Sequence, residues 1–261
     1  VKSRCTVGKL MFFMPVPRCG RLRSGEMNKK NESKAQDILP VTRTKEEAKR
    51  SYDRISRYYD YLTGTFERKY AEMALERLSV SEGETVLEIG FGTGHCLKRI
   101  AESVGPKGKT YGIDISTGMM EISKKRLEKA DLEDRVKLFC GDAASLPFDD
   151  STFDAVFMIF TLELFDIPEI PKVLEQIKRV LKPEGRLVVV SMSKENGESI
   201  FLRLYEWTHN KWPKYVDCRP IYVEQSLIDA GYQIKSKEKV KIFRLPAEII
   251  VAVKTISGNA V

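Results

Sequence analysis

The sequence has little with which to hold a metal or cross a bilayer. Its five cysteines, Cys5, Cys19, Cys96, Cys140 and Cys218, form no CxxC pair and share no metal-ligand spacing with a histidine, so neither a zinc site nor a disulfide framework is indicated. That usage fits a reducing, cytoplasmic setting. No apolar run approaches the roughly 20 residues that span a bilayer, because charged residues interrupt each candidate. The expectation is a soluble protein, at most peripheral to a membrane.

The body of the chain also lacks an excess of charge. The formal charge is +7, but residues 1–57 hold fifteen basic and six acidic side chains, a net +9, which leaves −2 for residues 58–261. Such a basic arm suits nucleic acid or an anionic membrane surface. A solvated, partly disordered lead-in is the simpler expectation, and no specific nucleic-acid partner is inferred. Within the arm, Leu10-Met11-Phe12-Phe13-Met14 is a short apolar stretch between basic residues, and Met27 opens a more ordinary beginning. A start assigned too far upstream, or a targeting peptide, would explain residues 1–26, which are not expected to belong to the fold.

What the sequence does contain is a regular alternation. Thr44-Lys45-Glu46-Glu47 has the form of a capping box that opens a helix running toward Tyr59-Asp60. A second helix carries Phe66, Tyr70, Met73, Ala74 and Leu78 at helical spacing. Strands are then expected near 85–89, 110–114, 136–140, 153–160 and 186–192, with helices near 95–104, 117–130 and 168–181. This pattern predicts a parallel sheet covered on both faces. Phe153 to Phe160, apolar on both alternating faces, belongs at its centre. Turn chemistry agrees, at Gly105-Pro106-Lys107-Gly108 and Lys182-Pro183-Glu184-Gly185. A helix near 223–230 stops at Gly231, and β-rich segments near 232–243 and 247–254 close the sheet. Three regions result: a basic, disordered arm (1–43), a helical cap (44–84) and an α/β domain (85–261) with an aromatic insert at 194–221.

The chemistry gathers where the first strand turns into a helix, at Val86-Leu-Glu-Ile-Gly-Phe-Gly-Thr-Gly94. In an open parallel sheet this turn is the usual cofactor contact, and Gly90, Gly92 and Gly94 let the backbone bend and approach a ligand. A dinucleotide fingerprint would need glycine or alanine three residues after Gly92, where His95 stands. Glu88 can bind an ammonium or organise the loop, and would gain nothing from a pyrophosphate. S-adenosylmethionine (SAM), which has an amino-acid ammonium and no phosphate, fits better, with S-adenosylhomocysteine as its product. Asp114 ends the second strand and can accept both ribose hydroxyls; Asp142 follows the third and can accept from an adenine amino group. Ile115, Ala143 and Phe160, beside these strand ends, are further candidate cofactor contacts.

The blocks Val86 to Leu97, Gly112 to Ser116, Gly141 to Phe165 and Leu181 to Ser193 resemble, in order, the motifs of class I SAM-dependent methyltransferases. The resemblance spans residues 85–193 and is strongest to the ubiquinone and menaquinone C-methyltransferase group and its relatives acting on phospholipid amines and other small molecules. It implies a Rossmann-like, mostly parallel seven-stranded sheet with helices on both faces and an antiparallel last strand. Arg54-Ile-Ser-Arg-Tyr-Tyr-Asp60 resembles that group's N-terminal Tyr-Asp segment, which would bring Tyr59 over the methionine end of SAM; alternatively Tyr58 and Tyr59 only pack the helix onto the core. Phe201-Leu-Arg-Leu-Tyr205 resembles its helix after strand five. The quinone enzymes carry an Arg-Asn pair shortly after the fourth strand, where this chain has Thr161-Leu-Glu-Leu-Phe165, a departure that puts a quinone substrate in question.

The expected substrate is a small, lipophilic molecule, prenylated-quinone-like or phospholipid-amine-like. Methyl transfer from a sulfonium needs alignment and exclusion of water more than a base. Two side chains are candidates for taking a proton all the same: Glu163 at the fourth strand end and His209 in the aromatic insert, the latter equally readable as a packing residue. The insert itself either covers the acceptor or packs on the sheet edge. Competing functions are a nicotinamide oxidoreductase, which His95 opposes, and a non-catalytic SAM-binding partner subunit. Methylation of nucleic-acid amino groups would favour an Asn/Asp-Pro-Pro-aromatic motif, and methylation of arsenite a cysteine between Cys140 and Cys218; neither is present.

Overall fold

The computed structural model describes residues 37–41, 43–62, 64–195, 200–211, 218–242 and 244–255. Two helices, α1 (Lys45–Leu62) and α2 (Gly64–Leu78), precede β1 (Thr85–Ile89). There follow α3 (His95–Val104), β2 (Lys109–Asp114), α4 (Thr117–Glu128), β3 (Val136–Cys140), β4 (Phe153–Ile159), α5 (Ile170–Val180) and β5 (Leu181–Met192). The chain ends with α6 (Ile200–Lys211), α7 (Val223–Asp229), β6 (Tyr232–Ile242) and β7 (Leu245–Lys254). The capping box forms as its residues dictate: the Glu47 N–H donates to Thr44 Oγ1 at 3.2 Å, and the Thr44 N–H donates to the Glu47 carboxylate at 3.0 Å.

The strands form one seven-stranded sheet in the order β3-β2-β1-β4-β5-β7-β6. β1 to β5 are parallel; β7 runs antiparallel to both β5 and β6. The last strand in sequence thus inserts next to the centre, and β6 takes the edge. Successive residues of the central strands point to opposite faces. Val156, Leu187 and Val189 pack with Val173, Leu174 and Ile177 of α5 on one face. Ala155, Phe157, Val188 and Val190 meet Ala74 and Leu78 of α2 and Ile100 and Val104 of α3 on the other. Phe157 is fully buried, so its truncation to alanine is expected to cost about 3–5 kcal/mol.

Two boundaries differ from expectation. Strand β5 begins five residues early, because Leu181 already pairs with Phe153; the Lys182-Gly185 turn is an excursion within it before pairing resumes at Ala155 and Arg186. The arm expected over 1–43 gives way to fixed structure sooner. Asp37 accepts from Tyr222 at 2.9 Å, the Leu39 carbonyl accepts from the buried Arg219 at 2.8 Å, and the Val41 N–H reaches Asp166 at 3.4 Å. Residues 1–36, including the apolar stretch at 10–14, lie outside the described residues.

The insert leaves the sheet after Met192 and returns beside it: the Ile221 N–H donates to the Met192 carbonyl and the Lys194 N–H to the Ile221 carbonyl, at 3.1 and 3.0 Å. Trp212 and Tyr215 lie outside the described residues. Strand order reverses between β1 and β4, which opens a crevice at the carboxyl ends of the strands.

Candidate active site

A cavity of about 1330 Å³ occupies that crevice. Its floor is made by the ends of four adjacent strands: Ile89, Gly90 and Gly92 after β1, Asp114 and Ile115 after β2, Asp142 and Ala143 after β3, Phe160 and Thr161 after β4. Ala48, Tyr52, Ile55 and Tyr59 of α1 form one wall; they recur every three or four residues, which puts them on one side of the helix.

Asp114 organises the floor. Its Oδ2 accepts from the Gly92 N–H at 2.9 Å and its Oδ1 from the Ser116 N–H at 2.8 Å, tying the glycine loop to the second strand end. Burial nevertheless raises its pKa above the usual value. Glu88 lies below the loop and does not line the cavity. It is almost fully buried, its Oε2 has no hydrogen-bond partner, and burial with the nearby Asp114 charge pushes its pKa well up. Gly92 has positive φ, and a Cβ placed there would meet nothing within 4 Å, so the loop leaves room on its cavity side. At Gly94, also at positive φ, a Cβ would strike Ser123 of α4; this glycine serves close packing.

Asp142 accepts from the Ala144 N–H at 2.9 Å through Oδ1 and from Lys45 at 2.5 Å through Oδ2; Lys45 is also paired with Glu169. Phe160 closes the row with φ +48, a left-handed conformation that costs a non-glycine residue of order 1–3 kcal/mol and is common at ligand sites. The Phe160 N–H stays paired to the Val190 carbonyl at 2.8 Å.

The residues that sequence reasoning missed fasten α1 over this floor. Lys45 reaches the loop after β3. Asp53 reaches the one after β2, accepting from Ser116 Oγ at 2.6 Å, the Gly118 N–H at 2.8 Å and Lys49 at 2.7 Å. Burial opposes ionisation of Asp53, but these donors overcome it and hold its pKa at about 2. Asp60 reaches the glycine loop, accepting from Thr93 Oγ1 at 2.5 Å and from Arg126, which also donates to the Thr93 carbonyl. Here too burial is outweighed, by Thr93 and Arg126, and the pKa is lowered. His95 Nε2 lies 3.3 Å from Asp60. The signal was in the sequence: aspartates seven residues apart on a capped helix share one face.

Tyr59 lines the cavity and meets Tyr52 with ring centroids 6.5 Å apart, whereas Tyr58 points outward. The two candidate bases lie elsewhere. Glu163 is fully buried and accepts from the Met192 N–H at 3.1 Å, because the short 3-10 turn at Leu162–Leu164 aims it into the core; Leu164 and Phe165 line the cavity instead. His209 is buried in α6 and does not line the cavity either. Of the described residues of the insert, Cys218 alone lines the cavity.

Comparison with known proteins gives this geometry its family. Residues 86–185 match the family described as a methyltransferase domain. A demethylmenaquinone methyltransferase of Symbiobacterium thermophilum is 32% identical over 192 residues, covering 67% of this chain and 75% of the relative. One of Geobacillus sp. is 34% identical over 146 residues, 54% of this chain and 61% of its own. A SAM-dependent methyltransferase from Aquifex aeolicus superposes with a TM-score of 0.53 at 27% identity, over 70% of this chain and 89% of that one. The cyclase SpnF superposes with a TM-score of 0.68 at 20% identity, over 84% and 99%, a likeness of fold alone.

Fold and sequence together define a SAM-dependent methyltransferase of class I. The chain belongs to that family, in the group of the ubiquinone and menaquinone C-methyltransferases, and its cofactor is SAM. No helix among the described residues is long and apolar enough to cross a membrane.

Proposed function

We propose that the enzyme methylates a small lipophilic acceptor, prenylated-quinone-like or phospholipid-amine-like, inside this cavity. The carrying observation is the cavity's size and composition. Its volume exceeds the roughly 300–1,000 Å³ of a pocket for one small ligand, and alongside charged side chains that include Lys45, Arg50, Arg54 and the carboxylates it has an apolar wall of Val41, Ile55, Ile159, Phe160, Leu164 and Phe165. The relatives named as demethylmenaquinone methyltransferases support the same acceptor class.

The residues present fit SAM. Asp114, already anchored by two backbone N–H groups, keeps lone pairs for ribose hydroxyls, and Asp142 sits where an adenine amino group can donate. The open side of Gly92 admits a ligand close to the backbone. Ile115, Ala143, Phe160 and Tyr59 would complete the contacts. SAM supplies a methyl group on a sulfonium, whose departure as a neutral thioether makes the displacement easy. The protein's part is alignment and dryness: α1 roofs the cavity, and the apolar wall holds the acceptor. Glu163 and His209 take no part as bases, because neither faces the cavity.

The test is a panel of prenylated quinones, amino-phospholipids and small water-soluble amines with methyl-labelled SAM. Label is expected in lipophilic members; labelling of the water-soluble amines alone would overturn the reading.

A further inference from the structure

The outward side of α1 differs from the rest of the helix. Arg50, Arg54, Arg57, Tyr58 and Tyr61 are spaced by four, three, one and three residues, which sets them in one stripe along the helix. All five are exposed, Tyr61 by 91% and Tyr58 by 67%. The inward charges, Lys45, Lys49, Asp53 and Asp60, are all paired. Among the described residues Arg50, Arg54 and Arg57 have no carboxylate partner. The acidic residues on this side, Glu46 and Glu47, belong to the first turn, and Glu47 is engaged with Thr44. From residue 50 to 61 the stripe is therefore purely cationic and aromatic.

Its position is as telling as its composition. Arg50 and Arg54 are exposed and also line the cavity, so the stripe borders the opening. An unpaired guanidinium is suited to phosphate oxygens, and a tyrosine with its ring out of the protein is suited to the level where headgroups meet acyl chains. We propose that this face docks α1 onto an anionic lipid bilayer and holds the cavity rim against the membrane, so that a lipophilic acceptor passes from lipid to cavity without crossing water. The proposal rests on the reading of a lipophilic acceptor. It is independent of the basic residues that precede α1, which no variant below alters.

Vesicle co-sedimentation of the full chain, with neutral phosphatidylcholine or with about one third phosphatidylglycerol, tests it without any methyl transfer. Binding is expected to the anionic vesicles only. Each basic residue near such a surface contributes about fivefold to partitioning, so Arg50→Gln, Arg54→Gln and Arg57→Gln together are expected to lose about 100-fold. An equal removal of charge at the amino ends of the strands, Lys107→Gln with Lys109→Gln and Lys235→Gln, is expected to lose far less. A second variant, Arg57→Gln with Tyr58→Ser and Tyr61→Ser, touches no cavity residue; it should weaken vesicle binding while SAM affinity by calorimetry stays within about twofold, as for surface changes generally. Four results would each overturn the proposal: no binding, equal binding to both vesicles, equal binding by all variants, or a homodimer that this second variant dissociates, which would make a second copy the occupant. Intact vesicle binding without label in any lipophilic acceptor would instead overturn the acceptor reading.

Discussion

The two halves of the cavity are made on different principles. At the ends of β1, β2 and β3, charged and polar groups are fixed by short contacts: Asp114 to Gly92 and Ser116, Asp142 to Ala144, Asp60 to Thr93. At the end of β4 the lining is mainly apolar, from Ile159, Phe160, Leu164 and Phe165, and Asp166 beyond them is engaged by the Val41 and Ile167 N–H groups; the backbone is strained at Phe160, and Glu163 points into the core. The first half can recognise a polar ligand group by group. The second can only select by shape and polarity, which suits a cofactor that is constant and an acceptor that is bulky and oily.

The contrast can be broken experimentally. The largest effect is expected from Asp114→Ala, which removes the loop anchor and the ribose acceptor together. Hydrogen bonds to charged groups contribute about 1.5–3 kcal/mol each, so calorimetry with SAM or S-adenosylhomocysteine is expected to show at least 100-fold weaker binding. Unchanged affinity would remove Asp114 from the cofactor half. Next comes Asp60→Ala, which frees α1 from the glycine loop and is expected to cost about tenfold in cofactor affinity and lower Tm by several degrees. Leu164→Ala with Phe165→Ala probes the other half: a tenfold rise in the KM of a lipophilic acceptor is expected, of the order for lost methylenes in an apolar pocket, with SAM affinity nearly constant. Equal damage to both ligands would merge the two halves.

Smaller effects sharpen the picture. Glu163→Gln is expected to keep kcat within about threefold, since the side chain holds the Met192 N–H and does not line the cavity; Glu163→Ala leaves that donor unmet and should cost about 1–3 kcal/mol in stability by denaturant titration. A fall of tenfold or more in kcat for the glutamine variant would restore Glu163 as a base. The carboxylates also have opposite pH signatures. Asp53 and Asp60 have lowered pKa values, so their contribution is complete above the unfolded value of about 4 and is lost as pH falls through the folded values, about 2 for Asp53. Glu88 and Asp114 have raised values, so their share is complete below about pH 4 and is lost as pH rises through the folded values. Tm measured from pH 2 to 8 should therefore drop at the acid end for the wild type and less for Asp53→Asn, while Glu88→Gln should gain stability toward neutral pH.

The same division explains what could be read from the sequence. That Gly90, Gly92, Asp114 and Asp142 line the cavity was legible because strand ends come at regular intervals, whereas Gly94, expected to approach a ligand, packs against Ser123. The sheet was legible for a similar reason: runs such as Phe153 to Phe160 can only be central. The acceptor half was not, because its wall joins Val41, Ile55, Leu164 and Cys218, apolar or neutral residues that nothing local marks. Glu163 misled because strand-end position fixes where a residue lies and leaves open which way a 3-10 turn aims it. The fastening of α1 was half legible: the capping box and Tyr59 stood out, but Asp53 and Asp60 gain meaning only once Ser116, Gly118, Thr93 and Arg126 are beside them.

Lys45 adds something that neither half explains. It sits between Asp142 and Glu169 and is paired with both, so the carboxylate offered to an adenine amino group already holds a donor, and a second carboxylate keeps that donor when it leaves. Filling this corner is a swap of one hydrogen-bond donor for another, with no acceptor left bare along the way. Because salt screens the resident pair more than it weakens a neutral amino group, moderate ionic strength is expected to cost the cofactor little here, and to ease its entry.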